Sequence, residues 1–260
     1  MLFDTHAHFD SRQFNENRDE LLSSLPEQGV SLIVNPGCDI PSSRMAVELA
    51  EKYPFIYAAV GFHPEELDGV ELSDLEEIRR LAAHEKVVAI GEIGLDYYWV
   101  KDEEGRAKER EFFRAQLALA EELELPVIVH DREAHGDTLA IVKEFPNVKG
   151  VFHCYSGSVE MAQELVKMGW MISFTGVLTY HNARKAVEVA EAVPMEHLMI
   201  ETDSPYMAPV PHRGKRNHSG LVLHVCEKLA EIKGISLGKC AEITLENGCR
   251  FFGISAPKMD

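Results

Sequence analysis

Residues that commonly bind divalent metals stand at the ends of short apolar segments spread along the whole chain. Six of them occupy such positions: His6, His8, Glu92, His130, His153 and Asp203. Histidine, aspartate and glutamate are common ligands of protein-bound metals. Ligands so distant in sequence can meet only if the segments that carry them align as strands of one sheet or barrel, and this requirement constrains the fold.

The first two histidines form a pair with a defined spacing. The chain opens Leu2-Phe3-Asp4-Thr5-His6-Ala7-His8, and side chains two residues apart on an extended strand project from the same face. A single histidine at the end of an apolar segment is more often an ordinary buried polar residue. The alternate spacing instead favours two imidazoles that reach one ion.

Eight apolar, β-rich segments alternate with segments of helical spacing. After the opening segment, the strand-like segments are residues 30–34, 56–60, 87–90, 127–129, 149–152, 170–174 and 198–200. Helical spacing is clear in residues 106–123, where Phe113, Leu117 and Ala120 share a face. Two more helices are predicted after the last strand, about residues 219–233 and 237–252, with Gly234 as a break and Ser236 as an N-cap.

This alternation over 260 residues predicts an α/β fold, a (β/α)8 TIM barrel of the metal-dependent hydrolase type, as a single domain over residues 1–260. The chemistry of such barrels lies at the carboxyl ends of the strands, where the candidate ligands stand. An open, doubly wound sheet is the competing architecture. Its ligands would gather at one switch point, and no glycine-rich dinucleotide fingerprint follows the first strand.

The sequence predicts a cytoplasmic protein with no membrane partner, and it indicates no obligate protein partner. The chain has no low-complexity linker, no signal-peptide pattern and no apolar run of membrane-spanning length. Its five cysteines are an odd number without a CxxC spacing, which indicates neither a disulfide framework nor a thiolate zinc site.

The ligand types narrow the choice of metal without deciding it. Histidine and carboxylate ligands without thiolates suit zinc or manganese, and the carboxylate share leaves magnesium open. Six ligands exceed the need of one catalytic ion, whereas two divalent ions about 3.5–4 Å apart would use them all. Glu92 is the candidate for a carboxylate that bridges both ions.

Five sequence blocks combine candidate ligands with other polar and glycine residues. They are Asp4-Thr5-His6-Ala7-His8, Gly91-Glu92-Ile93-Gly94-Leu95-Asp96-Tyr97-Tyr98, His153-Cys154-Tyr155-Ser156-Gly157, Glu201-Thr202-Asp203-Ser204-Pro205-Tyr206 and Pro211-His212-Arg213-Gly214-Lys215-Arg216-Asn217. Together these blocks resemble the signatures of the TatD family of metal-dependent deoxyribonucleases. The resemblance implies a barrel with two metals that hydrolyses DNA, commonly from the 3′ end. It implies one ion held by His6, His8, Glu92 and Asp203, and a second held by Glu92, His130 and His153. The chain departs from the family pattern at Glu65, where a histidine is usual, and at His218-Ser219, where a glutamate-proline pair is usual.

Other residues near the predicted strand ends are candidates for catalysis or substrate binding. Besides Glu92, we expect Asp203 to orient water and accept its proton, and His63 to contact phosphate or protonate the leaving oxygen. Glu201 either orients a ligand histidine or is a solvent-facing or structural carboxylate. The basic segment after the eighth strand contains His212, Arg213 and Lys215, which form a phosphate clamp or a solvated loop. The run Tyr97-Tyr98-Trp99 either stacks on bases or packs at the barrel rim.

The net charge limits the nucleic-acid substrate. With 26 basic and 43 acidic residues the chain carries a formal charge of −17, which disfavours tight binding of long duplex DNA. We therefore expect DNA ends or short single-stranded oligonucleotides as substrates. Two alternatives stay open: an amidohydrolase-like enzyme acting on a small amide, ester or lactone, and a metal-binding protein without catalysis.

Overall fold

Strands and helices alternate along residues 1–257, the part of the chain that the computed structural model describes. The strands are β1 (Leu2–Asp4), β2 (Val30–Pro36), β3 (Ile56–Val60), β4 (Val87–Asp96), β5 (Val127–Arg132), β6 (Gly150–Phe152), β7 (Met171–Phe174) and β8 (Leu198–Ile200). The helices are α1 (Arg18–Ser24), α2 (Ile40–Lys52), α3 (Leu75–Ala82), α4 (Glu103–Leu123), α5 (His135–Val142), α6 (Val159–Lys167), α7 (Arg184–Ala192), α8 (Val222–Lys233) and α9 (Leu237–Phe252).

The eight strands follow one another in a single sheet in chain order, from β1 to β8. Parallel neighbours in chain order, each joined through a helix, are the topology of the (β/α)8 barrel. Every residue of β1, β4, β6, β7 and β8 is buried, as expected for parallel strands covered on both faces. The predicted barrel class is confirmed, and the doubly wound alternative is wrong because its strand order would reverse at a switch point.

The chain divides into two compact units, which we call the terminal unit (Met1–Asn35 and Ser158–Asp260) and the central unit (Pro36–Gly157). In the terminal unit, β1 pairs with β2 and β7 pairs with β8, both in parallel. Helix α9 packs against β1. Gly248 of α9 lies against the fully buried ring of Phe3, and a Cβ at this position would come within 2.6 Å of the ring.

In the central unit, β3, β4, β5 and β6 pair in succession. Strand β4 is ten residues long and extends to Asp96, beyond the predicted segment 87–90. The pairing of β4 with β5 continues through Gly94 opposite His130 and Asp96 opposite Arg132. The expectation that Glu92 and His130 follow their strands is therefore wrong, because this ladder keeps both residues within strands.

The last two helices agree with the predicted caps. The Ser236 side chain accepts a hydrogen bond from the Lys239 amide at 3.2 Å and so caps α9. Gly234 ends α8 with a φ of 64°, a conformation that suits glycine. Residues 219–221 form a 3-10 turn, so α8 begins later than predicted. Within residues 1–257 no helix combines the length and apolarity needed to cross a bilayer.

Candidate metal centre

Three predicted ligands meet in the terminal unit: His6, His8 and Asp203. The Nε2 atoms of His6 and His8 lie 3.0 Å apart. Asp203 Oδ1 lies 3.9 Å from His6 Nε2 and 3.7 Å from His8 Nε2. Metal bonds of about 2 Å place neighbouring ligand atoms about 3 Å apart. These three side chains, which we call the terminal group, therefore have the spacing of ligands that converge on one ion.

The backbone explains how β1 and β8 bring these residues together. The Asp203 amide donates to the His6 carbonyl at 2.9 Å, and the His8 amide donates to the Ser204 carbonyl at 2.7 Å. These bonds continue the pairing beyond the strand ends. Asp203 has a φ of 54°, a left-handed conformation that costs a non-glycine residue of order 1–3 kcal/mol when the surroundings enforce it. The fold thus holds the carboxylate in an unfavourable backbone conformation at the candidate site.

Asp4 fixes the segment that carries Asp203. Its Oδ1 accepts the Thr202 amide at 2.8 Å and its Oδ2 accepts the Thr202 hydroxyl at 2.6 Å. Complete burial raises the pKa of Asp4 to about 7, the hydrogen bonds from Ser219 and Thr202 oppose that shift, and the nearby charge of Glu201 adds to it. Glu201 is itself only 1% exposed. The structure therefore places Glu201 in the interior, not on a solvent-facing surface.

A second set of donors surrounds Glu92 in the central unit. Glu92 Oε1 lies 2.8 Å from His153 Nε2, 3.0 Å from His130 Nδ1 and 3.4 Å from His63 Nε2. The carboxylate is 2% exposed. We call Glu92, His63, His130 and His153 the central group. A carboxylate buried among three imidazoles needs compensating positive charge, from a shared proton or a cation.

His130 presents its two ring nitrogens to different partners. Nδ1 faces Glu92, whereas Nε2 lies 2.9 Å from Asp96 Oδ2. Burial lowers the pKa of His130, but the hydrogen bonds to Asp96 and Glu92 outweigh it and raise that pKa to about 9. Two carboxylates therefore stabilise positive charge around this ring, whether it is carried by a proton or by a metal ion.

Close packing of β4 on β5 sets the position of His130. Gly94 has a φ of 144°, and a Cβ there would meet the His130 carbonyl oxygen at 1.9 Å. Only glycine permits this approach. Behind the pair, Glu109 of α4 accepts the Asp96 amide at 3.1 Å, and burial raises the pKa of Glu109 to about 7. A buried layer of carboxylates thus lies behind the central group.

His63 lies at the end of β3 with a defined orientation. Its Nδ1 accepts a hydrogen bond from the Glu65 amide at 3.2 Å, so this nitrogen carries no proton. In the neutral ring the proton is then on Nε2, which faces Glu92. Burial lowers the pKa of His63, although the charge of Glu92 opposes that shift. His63 can therefore donate a hydrogen bond from Nε2.

Both groups fit a divalent cation by their donor chemistry. In the terminal group, one atom each of His6, His8 and Asp203 lie within 4.8 Å of one another. The same holds in the central group for His63, Glu92 and His130. Imidazole nitrogens and carboxylate oxygens without thiolates suit zinc, manganese or related ions.

The predicted phosphate clamp lies in an exposed loop of the terminal unit. The Arg213 guanidinium lies over the Tyr180 ring at 4.3 Å, and the His212 ring lies 5.3 Å from that of His224. Lys215 is exposed. Arg216 donates to the Gln13 carbonyl at 2.6 Å and packs on Phe14. Among the loop's cations, Arg216 therefore has a structural role.

Two buried carboxylates in the structure were absent from the predicted site residues: Asp96 and Asp4. A signal for Asp96 exists in the sequence, because Glu92, Gly94 and Asp96 alternate along one face of an extended strand. Asp4 follows the same rule with His6. Their roles depend on partners distant in sequence, His130 and Thr202, which alternation alone does not identify.

Comparison with known proteins agrees with this geometry. Residues 3–253 match the family model described as TatD related DNase. The chain is 44% identical to the Bacillus subtilis protein YabD, described as an uncharacterized metal-dependent hydrolase, over 98% of this chain and 100% of that protein. It is 37% identical to YcfH of Escherichia coli K12, described in the same words, over 99% and 98% of the two chains.

A solved structure extends the likeness to the fold. The TatD homologue YJJV from Escherichia coli K12 superposes with a TM-score of 0.91 at 31% identity and covers 98% of both chains. The family model spans nearly the whole chain, and the two relatives match 98% and 99% of it. The chain therefore belongs to the family of TatD-related DNases and is a metal-dependent hydrolase of that family.

Proposed function

We propose that this protein is a divalent-metal-dependent phosphodiesterase that removes nucleotides from single-stranded or frayed DNA ends, working from the 3′ end. The observation that carries the proposal is the central group, in which three imidazoles lie within 3.4 Å of one Glu92 carboxylate oxygen. The family membership supports hydrolysis with a metal. The choice of DNA rests on the family description and on the basic loop after β8.

We further propose that the whole chain acts as one barrel domain with two ions, Zn²⁺, Mn²⁺ or Mg²⁺, one at each group. His6, His8 and Asp203 would hold one ion, and Glu92, His130 and His153 the other. A (β/α)8 barrel uses the carboxyl ends of its strands for chemistry. Four of the six residues follow their strands, His130 lies near the end of β5, and Glu92 lies within β4. Each ion would then have three protein ligands, which leaves open positions for water and substrate.

The protein side chains would divide the work around the bound phosphate. Divalent ions, when bound, make a water molecule a better nucleophile and neutralise charge that develops on the phosphoryl oxygens. Asp203 would orient the water and accept its proton, with its carboxylate fixed by the strained backbone. Glu201, which is buried, would orient one of the metal-binding histidines. Asp96 would hold His130 in the tautomer that directs Nδ1 toward Glu92.

His63 would act as a hydrogen-bond donor to the substrate. The Glu65 amide occupies Nδ1 and leaves the proton on Nε2, so the ring can donate to a phosphoryl or leaving oxygen. This favours hydrogen bonding over full proton transfer, because a neutral imidazole is a weak acid. Of the two roles expected for His63, contact with phosphate is the better supported.

The substrate phosphates that the metal ions do not contact would be bound by Arg213, Lys215 and His212. A guanidinium binds phosphate oxygens in a bidentate manner. The Arg213 guanidinium packs on the ring of Tyr180, which supports it. The formal charge of −17 opposes long-range attraction of a polyanion. We therefore expect short single strands to be better substrates than long duplexes, with binding that weakens as salt increases.

A substrate panel tests this function. Purified protein would be given a single-stranded oligodeoxynucleotide, a chromogenic phosphodiester, an amide and a lactone, each with and without Mg²⁺, Mn²⁺ or Zn²⁺. The proposal predicts metal-dependent cleavage of the first two and little turnover of the others. Preferred turnover of the amide or lactone would replace the nuclease with an amidohydrolase-like enzyme. Metal binding without turnover of any substrate would favour the noncatalytic alternative.

A further inference from the structure

Two large aromatic side chains are exposed just beyond the end of β4. Trp99 is 59% exposed and Tyr98 is 43% exposed, and their rings meet edge to face with centroids 4.8 Å apart. Adjacent exposed apolar side chains that form a contiguous patch are a feature of interaction sites. The neighbouring Tyr97 differs, because it is buried and its hydroxyl donates to Asp137 at 2.6 Å. Tyr97 is therefore packed into the protein, whereas the next two residues expose their rings.

Two basic side chains, those of Arg132 and Lys101, lie close to these rings. The Arg132 guanidinium, at the end of β5, lies 3.9 Å from the centre of the Tyr98 ring and 5.8 Å from that of Trp99. Lys101 Nζ lies 5.2 Å from the Tyr98 ring. Aromatic faces combined with arginine and lysine are the usual means of binding single-stranded nucleic acid, because bases stack on the rings and phosphates pair with the cations.

The aromatic pair is joined to the central group through Asp96. Asp96 Oδ1 accepts the Trp99 amide at 2.9 Å, and Asp96 Oδ2 contacts His130. One buried side chain therefore fixes both the start of the aromatic segment and a candidate metal ligand. A base stacked on Trp99 would be held at a set position relative to that ligand.

We propose that Trp99, Tyr98 and Arg132 form a stacking site for a nucleobase of a single-stranded DNA end. The inference rests on the proposed phosphodiesterase function and adds the residues that would bind an unpaired base of the substrate strand. Stacking accepts every base, because every base has a π face. The site would therefore select for single-stranded character rather than sequence, in agreement with the acidic net charge that disfavours duplex.

Fluorescence offers a direct measurement of this site. The chain has two tryptophans, Trp99 and the buried Trp170, so Trp99→Phe isolates the signal of Trp170. Binding of a short single-stranded oligodeoxyadenylate would be measured in the full chain with Mn²⁺, in an Asp203→Asn background that prevents turnover. We expect quenching that disappears in Trp99→Phe. An oligonucleotide with an abasic residue at its 3′ end should quench less.

Three substitutions separate stacking from general apolar contact. Trp99→Phe keeps a π face and should weaken oligonucleotide binding little. Trp99→Leu keeps an apolar side chain without a π face and should raise the Kd about 5- to 100-fold, as measured by the fluorescence anisotropy of a dye-labelled oligonucleotide. Leu72→Ala, which removes another exposed apolar side chain of the central unit, is the matched control and should leave the Kd unchanged. Equal binding by Trp99→Leu and wild type would overturn the stacking site.

Kinetics on wild type and Trp99→Leu distinguish failure of this inference from failure of the function. The wild type should show a lower KM for the base-containing than for the abasic oligonucleotide, and this preference should collapse in Trp99→Leu. DNA cleavage without any such preference would reject the stacking site and keep the nuclease. Trp99 quenching by the oligonucleotide, together with no DNA cleavage by the wild type, would keep the stacking site and reject the nuclease.

Discussion

The Asp96 carboxylate lies 2.9 Å from Nε2 of His130, on the ring nitrogen that does not face Glu92. A carboxylate in this position accepts a hydrogen bond from the Nε2–H group and leaves the Nδ1 lone pair for a metal. His153 differs, because its Nε2 is the atom nearest Glu92. The two histidines of the central group therefore present different nitrogens to the same carboxylate.

Replacement of Asp96 by asparagine should weaken metal binding. The amide could present its NH2 group to His130 Nε2 and so favour the wrong tautomer. We expect a 10- to 100-fold loss of Mn²⁺ affinity, measured by calorimetric titration of the metal-free protein. Asp68→Asn, at an exposed aspartate of the same unit, is the control and should bind as the wild type does. Unchanged affinity in Asp96→Asn would show that Asp96 does not position His130.

Replacement of Asp203 by asparagine should nearly abolish turnover. The substitution keeps the size and the oxygen of the side chain but removes the base that accepts the proton from water. We expect kcat on a single-stranded oligonucleotide to fall at least about 100-fold, with the fold retained by circular dichroism. Asp68→Asn again serves as the control. Full phosphodiesterase activity in Asp203→Asn would remove this residue from the catalytic assignment.

Much of this site follows from strand order, and the remainder depends on tertiary contacts. The eight apolar segments predicted the barrel, and the residues at their ends predicted the six ligand positions. This works because the carboxyl ends of all the parallel strands lie at the same end of the barrel, where the chemistry takes place. The same pattern ended β4 at residue 90 rather than at Asp96. Pairing of Gly94 with His130 on another strand extends β4, and no local propensity encodes that partner.

The tautomer of His63 and the role of Arg216 in the basic loop after β8 also could not be predicted from local sequence. The tautomer of His63 is set by the hydrogen bond from the Glu65 amide, and a residue pattern does not reveal that bond. Arg216 looked like its basic neighbours in sequence, yet it bonds to the Gln13 carbonyl of a distant segment. Local sequence identified which residues carry chemistry, whereas their orientation came from contacts far along the chain.

The buried Glu109 should make stability depend on pH. Burial raises its pKa from 4.5 to about 7 in the folded protein. Its contribution to stability is therefore complete below pH 4.5 and is lost as the pH rises through 7. Glu109→Gln has no charge to bury, so its stability relative to wild type should increase over this range by at most about 3 kcal/mol.

Urea denaturation of both proteins between pH 5 and pH 8 measures this difference. Other titrating groups are shared and cancel in the comparison. Glu111→Gln, at an exposed position of the same helix, should show no comparable trend. A constant difference between Glu109→Gln and wild type across this range would contradict the raised pKa.

Gly248 should be intolerant of alanine despite its helical position. The added methyl would come within 2.6 Å of the buried Phe3 ring, and overpacking of this kind costs about 1–3 kcal/mol. The helix preference of alanine offsets about 1 kcal/mol of that. Gly238→Ala in the same helix meets nothing within 4 Å and should be neutral or stabilising. Equal unfolding free energies for the two variants in urea would refute the packing of α9 on β1.

The most direct test of the whole account is DNA cleavage by metal-stripped and metal-restored protein. A 5′-labelled single-stranded oligodeoxynucleotide would be incubated with chelator-treated protein, then with the same protein after addition of Mn²⁺, Mg²⁺ or Zn²⁺. The account predicts no shortened product without metal and a ladder of 3′-shortened products with at least one of the three ions. Undiminished cleavage in excess chelator, or no cleavage with any of the ions, would contradict it.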